Sequence, residues 1–214
     1  MTAPTTTASP AGEFVSRAPR VLILLALLAL ALPTGLVAVG EGAGSLALPF
    51  NLFLVDQELP GIFRLHMLAS GAALVLIPLV ILARRRRAWH RPLGRIAAAA
   101  VILGALTSLP VAAASHSVAM ARAGFLVQGL VWLGLIGAGV LAIRRKRVAE
   151  HERLMLAMAA VASGAIWVRL ATAVATSCGL PFDPIYACVA WVGWIVPLAL
   201  VSVLPVRLAL PLRT

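Results

Sequence analysis

Six apolar runs, each 19 residues or longer, set the limits on what this chain can fold into. They cover residues 21–39, 65–83, 96–114, 124–143, 154–176 and 186–204. A helix of that length crosses the roughly 30 Å hydrocarbon layer of a bilayer. Inside that layer no water pairs with backbone N–H and C=O groups, so each run must satisfy them internally as a helix. The expected fold is therefore all-α and integral to a membrane: a six-transmembrane-helix bundle over residues 21–206. Residues 1–20, rich in Thr, Ala and Pro and without apolar period, are expected to form a disordered cytoplasmic tail, and 207–214 a short one. With 62% hydrophobic residues and only 12% charged ones, the chain is excluded from ordinary soluble domains.

The few charges are clustered, and the clusters orient the bundle. Arg84, Arg85, Arg86, Arg87, Arg91 and Arg95 fall between the second and third runs. Arg144, Arg145, Lys146, Arg147 and Arg153 fall between the fourth and fifth. Arg17 and Arg20 precede the first run, and Arg207 and Arg213 follow the sixth. The alternate connections hold only Arg64 and Arg122, against Glu41, Asp56, Glu58 and Asp183. Basic residues are retained on the cytoplasmic side during insertion, so both termini are expected inside. The net charge of +11 then points to anionic lipid headgroups rather than nucleic acid, because no folded basic module accompanies it. The longest outer connection, 40–63, carries LALPFNLFLVDQELPGIF, too short and too acidic to span. It is expected to lie along the interface or fold over the bundle mouth.

Few side chains offer chemistry. His66 and His116 fall at the outer face and His90 and His151 at the inner one. Two histidines at each face, on different helices, are one way a small bundle holds two b-type haems with bis-imidazole ligation. In layout this resembles cytochromes of the b561 kind, which pass electrons across a membrane between two haems. The plainer reading takes all four as interfacial side chains hydrogen-bonded to headgroups, water or backbone. Arg169 lies inside the fifth run, about 15 residues and so roughly 22 Å from its inner start. An arginine in hydrocarbon is costly and needs an anionic partner: Asp183, Glu41, Asp56, Glu58 or a bound ligand. Cys178 and Cys188 flank the last outer turn, where a disulfide is chemically permitted. Zinc-protease, P-loop, serine-hydrolase and CxxC motifs are absent.

The segment His90-Arg91-Pro92-Leu93-Gly94-Arg95 forms HR-x2-GR. With His66, Gly71, Gly124-Phe125, Trp132, His151, Met155, Arg169, Tyr186, Ala190-Trp191, Trp194 and Pro197 in order, it resembles a bacterial family of predicted membrane proteins, domain of unknown function 2306. Ala157 stands where that pattern has an arginine, and Leu198 where it has an asparagine. The resemblance implies a multi-helix domain of a bacterial inner membrane and no particular reaction. Physically, Pro92 suits a first helical turn, and Arg91 and Arg95, one turn apart, suit lipid phosphates. Two functional expectations stand side by side. One is a protein that binds a quinone, lipid or haem b toward the outer face, near His66, His116 and Arg169, and takes part in membrane electron transfer. The other is a small-molecule transporter, or an accessory subunit without catalysis. Oligomeric state leaves no signal in the sequence.

Overall fold

The computed structural model describes residues 28–203, and every regular element in that range is an α-helix. In chain order these are α1 (Leu28–Gly42), α2 (Phe50–Glu58), α3 (Pro60–Ala83) and α4 (Arg87–Ala114). They continue with α5 (Ala119–Arg144), α6 (Val148–Ala162), α7 (Gly164–Ser177) and α8 (Phe182–Val203). Five segments are long and apolar enough to cross a membrane: α3, α4, α5, α6 with α7 taken together, and α8. The start of the first apolar run and both expected tails lie outside the described residues.

Consecutive long helices run antiparallel, and specific contacts fix their register. His66 meets Gly104, and His90 meets Val80, which pins α3 against α4. Gln128 meets Val161 and His151 meets Gly139, which pins α5 against α6. Trp191 meets the Met120 carbonyl, holding α8 on α5. Both arginine-rich turns, 84–86 and 145–147, therefore lie at one end of the bundle, called here the basic end. Glu41, Asp56, Glu58 and Asp183 lie at the other, the acidic end.

The packing has the polarity of a protein dissolved in lipid. The core is built largely of small residues, Ala73, Ala100, Ala105 and Ala162 among them, around Trp132, Ile136, Val161 and Trp194. Large apolar side chains such as Leu79, Leu82, Leu103, Leu130 and Leu200 point outward. In water that surface would drive aggregation; in lipid it is solvated, and close backbone approach supplies the association energy. Gly35 of α1 and Gly71 of α3 show how close. A Cβ built on either would stand 2.7 Å from the other's carbonyl oxygen. Gly124 does the same for α8, where an added Cβ would sit 2.9 Å from the Ala190 carbonyl oxygen.

Three sequence expectations are corrected. Helix α4 begins at Arg87 rather than near residue 96, so HR-x2-GR is the start of a helix and not a turn. Pro92 sits in its second turn, not the first. The fifth run is not one helix: α6 ends at Ala162 and α7 begins at Gly164. The break comes at Ser163 and not at a proline; the helices continue through Pro78, Pro92, Pro110 and Pro197. Its freed backbone is satisfied from the side. The Gln128 amide donates to the Val161 carbonyl at 3.0 Å, the Ser163 hydroxyl donates to the Ala160 carbonyl, and the Trp167 indole N–H donates to the Ser163 hydroxyl. Gly164 leaves the space Gln128 needs, since a Cβ there would stand 2.5 Å from the amide nitrogen.

Candidate functional site at the acidic end

The break at Ser163 sets the bearing of α7, and Arg169 projects from the second turn of that helix. Its guanidinium meets the carboxylate of Glu41, the penultimate residue of α1, at 2.6 and 3.4 Å. Glu41 is 5% exposed and Arg169 33% exposed, so the carboxylate is buried and the guanidinium opens to one side. Of the four acidic partners the sequence offered Arg169, the fold selects Glu41. A charge-assisted fork of this kind is strong and directional. It also gives each charge a partner at a site where the buried Glu41 carboxylate has lost its water.

Two further pairs stand beside it. Asp56 of α2 is buried and takes both oxygens to Arg64 of α3 at 3.1 Å each. Glu58, at the end of α2, meets His116 Nε2 at 2.8 Å, with both side chains half exposed. Helix α2 thus turns Val55 and Asp56 inward and leaves Phe50 and Phe53 exposed.

The open side of Arg169 is a shallow, wide-open groove of about 420 Å³ along α7. Arg169, Thr172, Ala173 and Thr176 repeat at helical spacing on one face, and Ser177 and Phe182 complete the walls. Phe182 is braced by stacking on Tyr186 at 5.0 Å, and Tyr186 packs against Phe125 of α5. The Thr172, Thr176 and Ser177 hydroxyls donate to carbonyls of their own helix. A hydroxyl proton rotates, so each can turn toward a guest in the groove. An arginine backed by hydroxyls and walled by an aromatic ring fits an anionic group attached to an apolar body.

The four histidines each meet a partner within the protein. His66 Nδ1 lies 3.0 Å from the Gly104 carbonyl, with Ser70 and Thr107 hydroxyls nearby. His90 and His151 each occupy the fourth position of a helix, not a turn, and reach back to the preceding helix. Their Nδ1 atoms contact the Val80 carbonyl at 3.2 Å and the Gly139 carbonyl at 2.9 Å. Val80 belongs to the last turn of α3, where carbonyls lack helical partners, so His90 caps that helix. Met155, one turn beyond His151, also fills the space that Gly139 leaves. His116 has its Nε2 on Glu58. Among the described residues no cluster of three His, Cys, Asp or Glu gathers to hold a metal.

Arg91 and Arg95 are exposed on the first turns of α4, beside Arg84. Burial and the neighbouring Arg85 lower the Arg84 guanidinium from its ordinary value, against the opposing pull of Glu152 on α6. Cys178 and Cys188 are free, exposed thiols rather than a disulfide. Cys178 caps α7, whereas Cys188 lies six residues, roughly 9 Å, along α8. Gln128 was missed by the sequence reading. Its one signal is a lone amide in the apolar stretch GFLVQGLVW, which helical lipid-facing positions do not favour.

Residues 63–204 match the family model described as predicted membrane protein, DUF2306. The chain belongs to that family. Together with its span-length helices, this makes it a multi-pass membrane protein. No curated protein and no solved structure matches it. The DUF2306 region begins in the first turn of α3 and runs through α8, which leaves α1 and α2 outside. Several residues that carried the resemblance sit where helices meet: Gly71 on α1, Gly124 on α8, Trp132 on Gly104, and Trp194 on Gly164. Arg169 is the one that opens to a groove.

Proposed function

We propose that this DUF2306 protein binds an amphiphile with an anionic headgroup, a lipid or a comparable small molecule, in the groove along α7. The observation that carries this reading is Arg169, an arginine within a span-length segment whose guanidinium has one carboxylate partner and an open, hydroxyl-lined side. An ionised group at that depth is functional by default. Its surroundings supply what an anionic amphiphile needs: a fixed positive charge, hydroxyls that re-aim, and the Phe182 ring beside the apolar body.

The orientation proposed with it has six spans and both termini on the side of the basic turns, the cytoplasmic side by the retention of arginines. The groove then opens in the outer leaflet. Arg91 and Arg95 meet anionic headgroups of the inner leaflet and hold the bundle at its depth.

Native mass spectrometry of the protein released from mixed vesicles tests the reading. Phosphatidylglycerol is expected to remain bound in preference to phosphatidylcholine. Arg169→Ala is expected to reduce that preference, leaving the share held by the basic end, while Arg122→Ala keeps it whole. Equal retention of both lipids by the unaltered protein would remove the proposal.

A further inference from the structure

Every acidic residue of the α1–α2 arm is paired with a basic residue outside the arm. Glu41 meets Arg169, Asp56 meets Arg64, and Glu58 meets His116. All three bases lie inside the DUF2306 match: Arg64 on α3, His116 in the turn after α4 and Arg169 on α7. The arm is thus strapped across the acidic end by its own carboxylates. We infer that it is a built-in competitor of the groove: the Glu41 carboxylate occupies the Arg169 fork as an intramolecular counter-ligand, and an anionic headgroup binds by displacing it.

Three observations support exchange over a permanent structural pair. First, the chemistry is like for like. A headgroup phosphate or carboxylate offers the same bidentate oxygens that Glu41 now offers, so Arg169 never stands in the membrane without an anion. Second, the arm meets α3 through a small apolar cluster of its own, Ala38 of α1 and Val55 of α2 against Phe63 and Met67 of α3. That cluster packs apart from the main core, so the arm can shift without opening that core. Third, Glu41 stands at the end of α1, next to a place where the chain can bend. Gly42 closes the helix, and Gly44 holds φ +74°, a left-handed conformation that glycine adopts without strain. Deeper in α1, the Gly35–Gly71 crossing keeps the rest of that helix docked. Gly42 is docked on α3 as well, with an added Cβ 2.9 Å from Met67 Cβ, so the moving part is the Glu41 side chain and the chain from Ala43 through α2, not helix α1.

This inference rests on the groove being a binding site, and the experiment separates the two. The full chain in lipid nanodiscs is titrated with phosphatidylglycerol and, separately, with inorganic phosphate. Glu41→Gln keeps the shape of the side chain and removes its charge. If the strap leaves the groove open in about one molecule in ten or fewer, freeing it raises apparent affinity about tenfold or more. Unchanged or weaker binding by Glu41→Gln, with normal binding by the unaltered protein, would overturn the strap and leave the binding site standing. Absence of Arg169-dependent binding in both proteins would overturn the site itself.

A second readout keeps Glu41 in place, for the case that Glu41→Gln does not fold. Spin labels on Cys188 and on Phe50→Cys, with Cys178→Ser, report the distance from α8 to α2. Saturating ligand is expected to lengthen or broaden it; an unchanged distribution at saturation overturns the strap. A shift with phosphate alone assigns the response to the anion, and a shift only with phosphatidylglycerol assigns it to the lipid headgroup.

Discussion

The two ends of this bundle carry similar side chains and use them in opposite ways. At the basic end, His90 and His151 reach carbonyls only 10 and 12 residues back along the chain. Each ties a helix to its own hairpin partner, a local role that any stable hairpin can accommodate. At the acidic end, Arg169 reaches a carboxylate 128 residues away, and α2 is held by pairs to α3 and to the turn after α4. The Arg169–Glu41 and His116–Glu58 pairs join segments that sequence proximity would not bring together; Asp56–Arg64, eight residues apart, is the local one of the three. A polar residue that finishes a local backbone is structural. A charge held by a distant one, beside open space, is where binding is expected.

That contrast can be broken by mutation. The largest effect is expected from Arg169→Met, which strands the buried Glu41 carboxylate. Loss of one partner from a buried pair costs about 3–5 kcal/mol, and the open side of Arg169 places this case near the lower figure. Thermal unfolding in detergent should fall sharply for the single variant and recover most of the loss in Glu41→Met/Arg169→Met. Equal melting of single and double variants would mean that the two charges are not coupled.

Next comes the break between α6 and α7, which aims Arg169. Gly164→Ala drives a Cβ against the Gln128 amide, and overpacking of this kind costs about 1–3 kcal/mol. Adding Gln128→Ala should relieve the clash while leaving the Val161 carbonyl without its donor. Partial recovery of the melting temperature is the expected result; no recovery would place the strain elsewhere.

At the basic end, His151→Phe is expected to cost about 1 kcal/mol, the worth of one hydrogen bond, with lipid selectivity unchanged. A change in selectivity would assign His151 a role beyond the hairpin. The smallest effects belong to Arg91→Gln and Arg95→Gln. Each should leave stability within about 0.5 kcal/mol and weaken attachment to anionic inner-leaflet lipid by about 1 kcal/mol, read by lipid-exchange mass spectrometry.

Much of the fold was legible because hydrocarbon permits so few alternatives. Span-length apolar runs, an all-helical structure and a carboxylate partner for Arg169 all follow from the solvent. What escaped depended on features that hydropathy does not register. The first two turns of α4, from Arg87, are charged, so an apolar window starts too late. Ser163 and Gly164 read as ordinary small residues, and only the packing of Gln128 against them shows a break. Glu41 could not be chosen over Asp56, Glu58 or Asp183, because the choice depends on how α1 crosses α3 at Gly35 and Gly71. The histidine contacts were not legible for the complementary reason. Position near a membrane face says nothing of which carbonyl a ring nitrogen will find.

The central claim is that Arg169 is present to meet an anion and not merely to pair with Glu41. Glu41→Gln/Arg169→Gln removes both charges at once, so no buried ion is stranded and the bundle should fold. Its preference for phosphatidylglycerol over phosphatidylcholine, measured by native mass spectrometry beside the unaltered protein, tests the claim most directly. A stable protein whose preference for the anionic lipid is clearly reduced is the expected result. A stable protein whose preference for the anionic lipid is undiminished would contradict it.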